Sequence, residues 1–136
     1  MGFLIDTCIW VDVERGHLGP ADVAAYTGED AVFISPVTIA ELTYGVEIAS
    51  SQDQRQRRAA ALARLRRKPL LIIDEGTGEV FGRLCAILRR GGRGADFRVQ
   101  DIWLASQAVQ NDYGLLTRNG KDFRDIPGLR LVEVRP

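Results

Sequence analysis

Apolar residues in this chain come in short runs that alternate with stretches of helical spacing. Phe3-Leu4-Ile5 is a tight apolar run ending on an acid, and reads as a buried strand. Val32-Phe33-Ile34, Leu70 to Ile73, Leu115-Leu116 and Leu131 to Val134 read the same way, the last three flanked by turn or breaker residues. Ser35-Pro36 opens a helix, with serine as cap and proline at the first helical position, and Ile39, Leu42, Val46 and Ile48 carry it on. Residues 52–67, rich in Ala, Leu, Gln and Arg, predict a second helix. Val80, Leu84, Ile87 and Leu88 mark a third, broken by Gly91, Gly92 and Gly94. The loop after these glycines leads into a fourth, with Ile102, Ala105 and Val109. Short strands alternating with helices predict an α/β domain, a mostly parallel sheet flanked by helices on both faces. No repeat or linker interrupts the pattern, so residues 1–136 read as a single domain.

Composition narrows the class. With 136 residues, 46% of them hydrophobic, a domain of this size buries roughly two-thirds of its unfolded surface and needs no disulfide or structural metal to fold. Cys8 and Cys85 stand alone in apolar stretches, without a CxxC partner, and read as reduced, partly buried thiols. Asp6 interrupts the first apolar run, so no signal peptide is expected, and no run approaches the ~18 residues of a membrane span. The expected location is the cytosol. Net charge is zero, but its distribution is uneven. Residues 1–54 hold one basic residue, Arg15, against nine acidic ones; residues 55–98 hold twelve basic against four acidic. An acidic and a basic segment in one small domain suit a site that binds cations and polyanions together, although a solvated basic helix explains residues 55–68 equally well.

In open α/β sheets the functional crevice lies outside the carboxyl ends of the strands. That rule selects Asp6 after the first strand, and Asn119 and Asp122 after Leu115-Leu116. Glu41 and Asp101 lie in or at the start of helices leading from the same edge. Each has a plainer reading. Asp6 and Asp101 could cap the helices that follow, Thr38-Ile39-Ala40-Glu41 matches a capping box, and Asp122 could be a turn residue. Yet Ser35-Pro36 already starts Glu41's helix, and a glutamate between Ala40 and Leu42 is costly without a cation or partner. Carboxylates converging on one crevice repel each other, and a divalent cation removes that conflict. An oxygen-only ligand set favours Mg2+ or Mn2+ over zinc. His17 is the only histidine, so a two-histidine acid/base ribonuclease mechanism cannot operate.

Taken in order, Leu4-Ile5-Asp6-Thr7, then Ile39-Ala40-Glu41-Leu42-Thr43-Tyr44-Gly45-Val46, then Gln100-Asp101-Ile102-Trp103-Leu104-Ala105-Ser106 form a series. Leu116-Thr117-Arg118-Asn119, Lys121-Asp122-Phe123 and Pro127-Gly128-Leu129 complete it. The series resembles the VapC family of PIN-domain ribonuclease toxins across nearly the whole chain. The resemblance implies a PIN-like fold in which Asp6 and Asp101 bind Mg2+ or Mn2+ and Glu41 orients the attacking water. It maps the family's fourth polar position, often acidic, to Asn119, with Asp122 close enough to compensate and Thr117 placed to hydrogen-bond a carboxylate or a phosphate. Cys8 departs from the small polar residue usual beside the first aspartate. The implied activity is metal-dependent cleavage of RNA that leaves a 3′-hydroxyl and a 5′-phosphate. The implied partners are RNA, a second copy of the chain and a VapB-type antitoxin whose arginine would occupy the acidic site.

Arg55, Arg57, Arg58, Arg64, Arg66, Arg67, Lys68, Arg89, Arg90, Arg93 and Arg98 are the candidate phosphate contacts. Trp10 and Trp103 could stack on bases, although core packing explains them as well. Two other readings stay open. A phosphoacceptor domain would use Asp74 with Thr117 and Lys121, but would want an acidic pair where Asp6 is followed by Thr7 and Cys8. A catalytically inactive interaction module would be expected to have lost one of Asp6, Glu41 and Asp101.

Overall fold

The structure is a computed structural model that describes residues 1–94 and 98–135. Among these residues four parallel strands form a sheet: β1 (Phe3–Ile5), β2 (Val32–Phe33), β3 (Gly114–Thr117) and β4 (Arg130–Glu133), in the order β2-β1-β3-β4. Among the described residues six helices accompany them: α1 (Thr7–Glu14), α2 (Pro20–Thr27), α3 (Pro36–Glu47), α4 (Gln52–Leu65), α5 (Glu75–Arg90) and α6 (Val99–Asn111). A 3-10 turn, Gly120–Asp122, follows β3.

Strand alternation sorts the core into two layers. Leu4 and Leu115 pack with Leu84, Leu88, Ile102 and Ala105 of α5 and α6. Their neighbours Phe3, Ile5 and Leu116 point the other way, onto Ile9 and Trp10 of α1 and Leu65 of α4. Side chains on a strand change face at every residue, so a sheet buried on both sides must read as unbroken apolar runs. The expected sheet with helices on both faces is what forms. Among the described residues no helix is long and apolar enough to cross a membrane.

Three local features differ from the sequence reading. The sequence suggests α1 only as the helix that Asp6 could cap, without bounds, and does not suggest α2. Asp6 caps the first through its bond from the Thr7 amide, and Pro20 at the first helical position opens the second, where Asp22 accepts from the Gly19 amide. The helix expected over 52–67 ends at Leu65. Leu70 to Ile73 is not a strand: only Leu70 bridges to Ile34, and the Leu71 and Ile72 carbonyls accept from the side-chain amide of buried Gln107 instead. That amide satisfies polar groups that a sheet partner would otherwise take. The loop read between Gly94 and α6 lies, at residues 95–97, outside the described residues.

Candidate active site

β1 connects to β2 on one side of the sheet, while β3 lies on its other side. The gap between the carboxyl ends of β1 and β3 is therefore the point where the strand order reverses, and such a point opens a crevice. Asp6 leaves β1 there, its amide bonded to the Leu116 carbonyl. Asp6 is buried, with Oδ1 accepting from the Thr7 amide at 2.8 Å and Oδ2 from the Thr117 hydroxyl at 2.8 Å. Its role as a helix cap and its place in the crevice coexist, because capping engages one carboxylate oxygen only.

Glu41 reaches the same place from the middle of α3. Ser35 is the cap of that helix, accepting from the Val37 amide at 3.0 Å, so the capping-box reading of Glu41 does not hold. Instead the Thr7 hydroxyl donates to Glu41 Oε1 at 3.0 Å. Asp101 sits in the first turn of α6. Arg98, not Asp101, occupies the cap position there, so the Asp101 carboxylate is left for the crevice. Asp6, Glu41, Asp101 and Asn119 line one shallow depression of about 410 Å3, together with Thr7 and Arg15.

Electrostatics mark this depression as unusual. Burial raises the Asp101 pKa from 3.8 to about 6, and the charges of Asp6, Asp122 and Glu41 add to the rise. Asp6 is raised by burial against the pull of its hydrogen bonds, with Asp122 contributing. Glu41 is raised by burial and by Asp6. Three carboxylates from distant parts of the chain thus hold protons more tightly than they would in water, partly because of one another.

The sequence matches the PIN domain family over residues 3–129. It is 30% identical to the ribonuclease VapC5 of Mycobacterium tuberculosis over 96% of this chain and 92% of that protein. The chain belongs to the PIN-domain family of VapC ribonucleases. It is also 29% identical to the ribonuclease VapC1 of Rickettsia felis, over 98% of this chain and 97% of the relative. Among solved structures, that of VapBC2 from Rickettsia felis bound to a promoter DNA fragment matches with a TM-score of 0.82 at 25% identity, covering 98% of each chain. VapBC-5 from Mycobacterium tuberculosis matches with a TM-score of 0.76 at 27% identity, over 99% of this chain and 98% of that one.

Within this PIN fold, the acids nominated from sequence converge. Asn119 joins them at the depression, with its main-chain N–H donating to the Thr117 hydroxyl oxygen at 3.0 Å. Asp122 is not among the lining residues, yet its charge acts on both Asp6 and Asp101. Cys8 keeps a polar contact beside Asp6. Its thiol lies 3.5 Å from Asp6 Oδ2, and burial with that neighbouring charge pushes it up to about 11. Thr7, Asp12 and Arg15 escaped the sequence reading as site residues because the bounds of α1 were not recognised. Their signal was the helical spacing of Thr7, Val11 and Arg15 immediately after a strand-end acid. Asp12 also lines the depression, and Arg118 pairs with it at 2.8 Å.

The basic candidates divide. Arg98 is withdrawn from the phosphate contacts: its side chain is 3% exposed and locked onto Asp125. Arg55, Arg64 and Arg93 pair with Glu47, Glu14 and Asp125, and Arg58 donates to the Gly45 carbonyl. Arg57, Arg66, Arg67, Arg89 and Arg90 are exposed. Lys68 lies over the Trp10 ring, while Trp10 itself is buried and bonded to the Ala61 carbonyl. Trp103 stacks on Phe81, with ring centroids 3.9 Å apart. Both tryptophans therefore serve the packing. Asp74, the alternative phosphoacceptor, is exposed and caps α5 through Thr77, away from the depression.

Among the described residues, no three His, Cys, Asp or Glu side chains are already drawn together as a metal cage. The donor set nevertheless fits a hard cation. Mg2+ is held by one or two carboxylates plus waters and substrate phosphates rather than by a closed protein cage. Acids whose proton affinities rise through mutual repulsion are those that gain most from added positive charge.

Proposed function

We propose that this chain is the toxin of a toxin–antitoxin pair, a ribonuclease that cuts RNA phosphodiester bonds at the depression lined by Asp6, Glu41, Asp101 and Asn119. The observation that carries this reading is the convergence of three carboxylates, from three separate stretches of chain, at the strand-order reversal of a PIN fold. Asp6 and Asp101 are the residues that would hold Mg2+ or Mn2+. When bound, such a cation supplies positive charge against a phosphate and makes water at the site a better nucleophile.

The chain's own groups do the rest. Glu41 Oε1 is engaged by Thr7, leaving Oε2 to take the proton that the attacking water releases. Its raised pKa makes it a better base than an exposed glutamate. The Asn119 side-chain carboxamide orients water or phosphate oxygen by hydrogen bonding and adds no charge. Arg15 at the depression, with the exposed Arg57, Arg66 and Arg67, contacts phosphates and positions the strand without reading its sequence.

A second depression of about 710 Å3 runs between α1, α3 and α4, past Trp10, Leu42, Ile48 and Arg57. Val11, Arg15 and Glu41 line both depressions, so a segment lying along this groove leads directly to the acids. A VapB-type antitoxin segment seated there, with an arginine paired to the acids, would displace the cation and silence the enzyme. The toxin acts as a homodimer in the cytoplasm in this reading.

The test is cleavage of an RNA by the purified chain, with 5′ ends mapped. Chelation should stop it and Mg2+ or Mn2+ should restore it, while Asp101→Asn should lower the rate by about 10²–10³-fold. Cleavage that survives chelation, or an Asp101→Asn protein as fast as wild type, overturns the reading.

A further inference from the structure

The Arg98–Asp125 pair stands outside the depression, yet it joins two of the segments that build it. Arg98 immediately precedes α6 and lies one helical turn before Asp101. Its guanidinium forks onto Asp125, Nη1 to Oδ1 and Nη2 to Oδ2, each at 2.7 Å. Nη1 also donates to the main-chain carbonyl of Asp122 at 3.1 Å. Taking an arginine out of water is costly even when it is paired, and apolar side chains of similar volume often fasten two segments as firmly. What a bidentate fork adds is a fixed geometry.

The turn after β3 is already held on its far side. Arg124 pairs with Glu133 of β4 at 2.9 and 3.0 Å, and Gly120 approaches the Glu133 side chain so closely that a Cβ would collide with it. Phe123 is buried in the core shared with α5 and α6. Arg98 secures the remaining side, between this turn and the start of α6. We propose that Arg98, anchored on Asp125, is a positioning residue for the acidic crevice: it fixes the Asn119–Asp122 turn relative to Asp101. The proposal rests on the reading of the depression as a metal-dependent catalytic site. Two features support it. The charge of Asp122 is felt by both Asp6 and Asp101, so a displaced turn alters the field at both. The guanidinium is also paired with Asp125, so only part of its charge is left to act on Asp101, whose pKa it lowers.

The test measures Mn2+ binding to the metal-free protein by electron paramagnetic resonance, alongside thermal unfolding. The double variant Arg98→Met with Asp125→Leu exchanges the pair for apolar side chains and is expected to unfold near the wild-type temperature. Its Mn2+ affinity is expected to fall about tenfold. Adding Asp122→Asn to it should then weaken binding by less than the same change does in wild type, because the turn is already loose. Arg98→Lys keeps the charge without the fork, and serves if the double variant does not fold. It should bind Mn2+ several-fold more weakly than wild type and unfold cooperatively. Wild-type Mn2+ affinity in either folded variant overturns the role of Arg98 alone. No Mn2+ binding by wild type overturns the catalytic reading of the depression, and this proposal with it.

Discussion

Two aspartates flank the start of α6 and meet opposite fates. Asp101 faces other carboxylates, and burial among them lifts its pKa to about 6. Asp125 faces Arg98 and Arg93, and the hydrogen bonds from Arg98 hold it below its ordinary value. The residue type is the same; the partners decide whether ionisation is opposed or rewarded. One region holds the fold together, and the other keeps like charges close at a cost to the metal-free fold. A folding requirement alone gives no reason for the second arrangement. On the function proposed above, charges that repel in the free protein would become ligands for a cation, and the strain would then belong to function.

The largest expected effect falls on the stable side of this pair. Asp125→Asn leaves the Arg98 guanidinium, 3% exposed, without its counter-charge. Breaking a buried pair by removing one member typically costs 3–5 kcal/mol. Asp125 is 24% exposed, so solvent screens part of this and about 2–3 kcal/mol is expected. Calorimetry should show unfolding roughly 10 °C lower than wild type. A change within 2 °C of wild type, about half a kcal/mol, would mean that the ion pair is worth no more than a surface contact.

Much of this contrast was legible before the fold, and the reason is local. Asp6, Asn119 and Asp122 follow apolar strand runs, so the strand-end rule finds them without coordinates, and α3 announces itself through Ser35-Pro36. Asp125 and Arg98 could not be paired that way. An arginine inside a basic segment looks like every other surface arginine, and its partner lies 27 residues further on. The extent of α1 was hidden for a related reason. Cys8 to Val13 is rich in apolar and β-branched residues, so it carries little polar rhythm, and its helical state is imposed by packing of Ile9 and Trp10 against the sheet and α4. Leu70 to Ile73 failed in the opposite sense. Its apolarity suggested burial, but Leu70, Ile72 and Ile73 are exposed.

The strained side predicts a smaller effect of opposite sign. A carboxyl group whose pKa is raised on folding binds its proton more tightly in the folded state. The penalty is absent below the unfolded value of 3.8 and complete above about 6. Metal-free protein should therefore lose stability through Asp101 as pH rises across that window. Asp101→Asn should stabilise the metal-free chain at pH 7 by on the order of 1 kcal/mol, after allowing for its half-exposed position. The gain should vanish near pH 4. The pair at Asp125 behaves the other way, since its contribution is present above the unfolded value and lost on further acidification. Unfolding temperatures measured against pH, with chelator present, separate the two. If Asp101→Asn destabilises at pH 7, the carboxylate is serving the fold and the contrast between the two aspartates disappears.

The smallest expected effect tests whether the strain is shared among the acids or confined to Asp101. Glu41 is raised first by burial and then by Asp6, and the Thr7 hydroxyl supports its ionised form. Asp101 feels Asp6, Asp122 and Glu41 together. Glu41→Gln removes one charge and keeps an acceptor for Thr7, so it should stabilise the metal-free chain by only a few tenths of a kcal/mol. If the acids share one field, the gain from Glu41→Gln should shrink further in an Asp101→Asn background, because the repulsion it relieves has already been reduced. Strict additivity across this double-mutant cycle would mean that each carboxylate is raised by its own burial alone. In that case the depression holds three independent acids rather than one coupled cluster, and a single cation would not relieve all of them together.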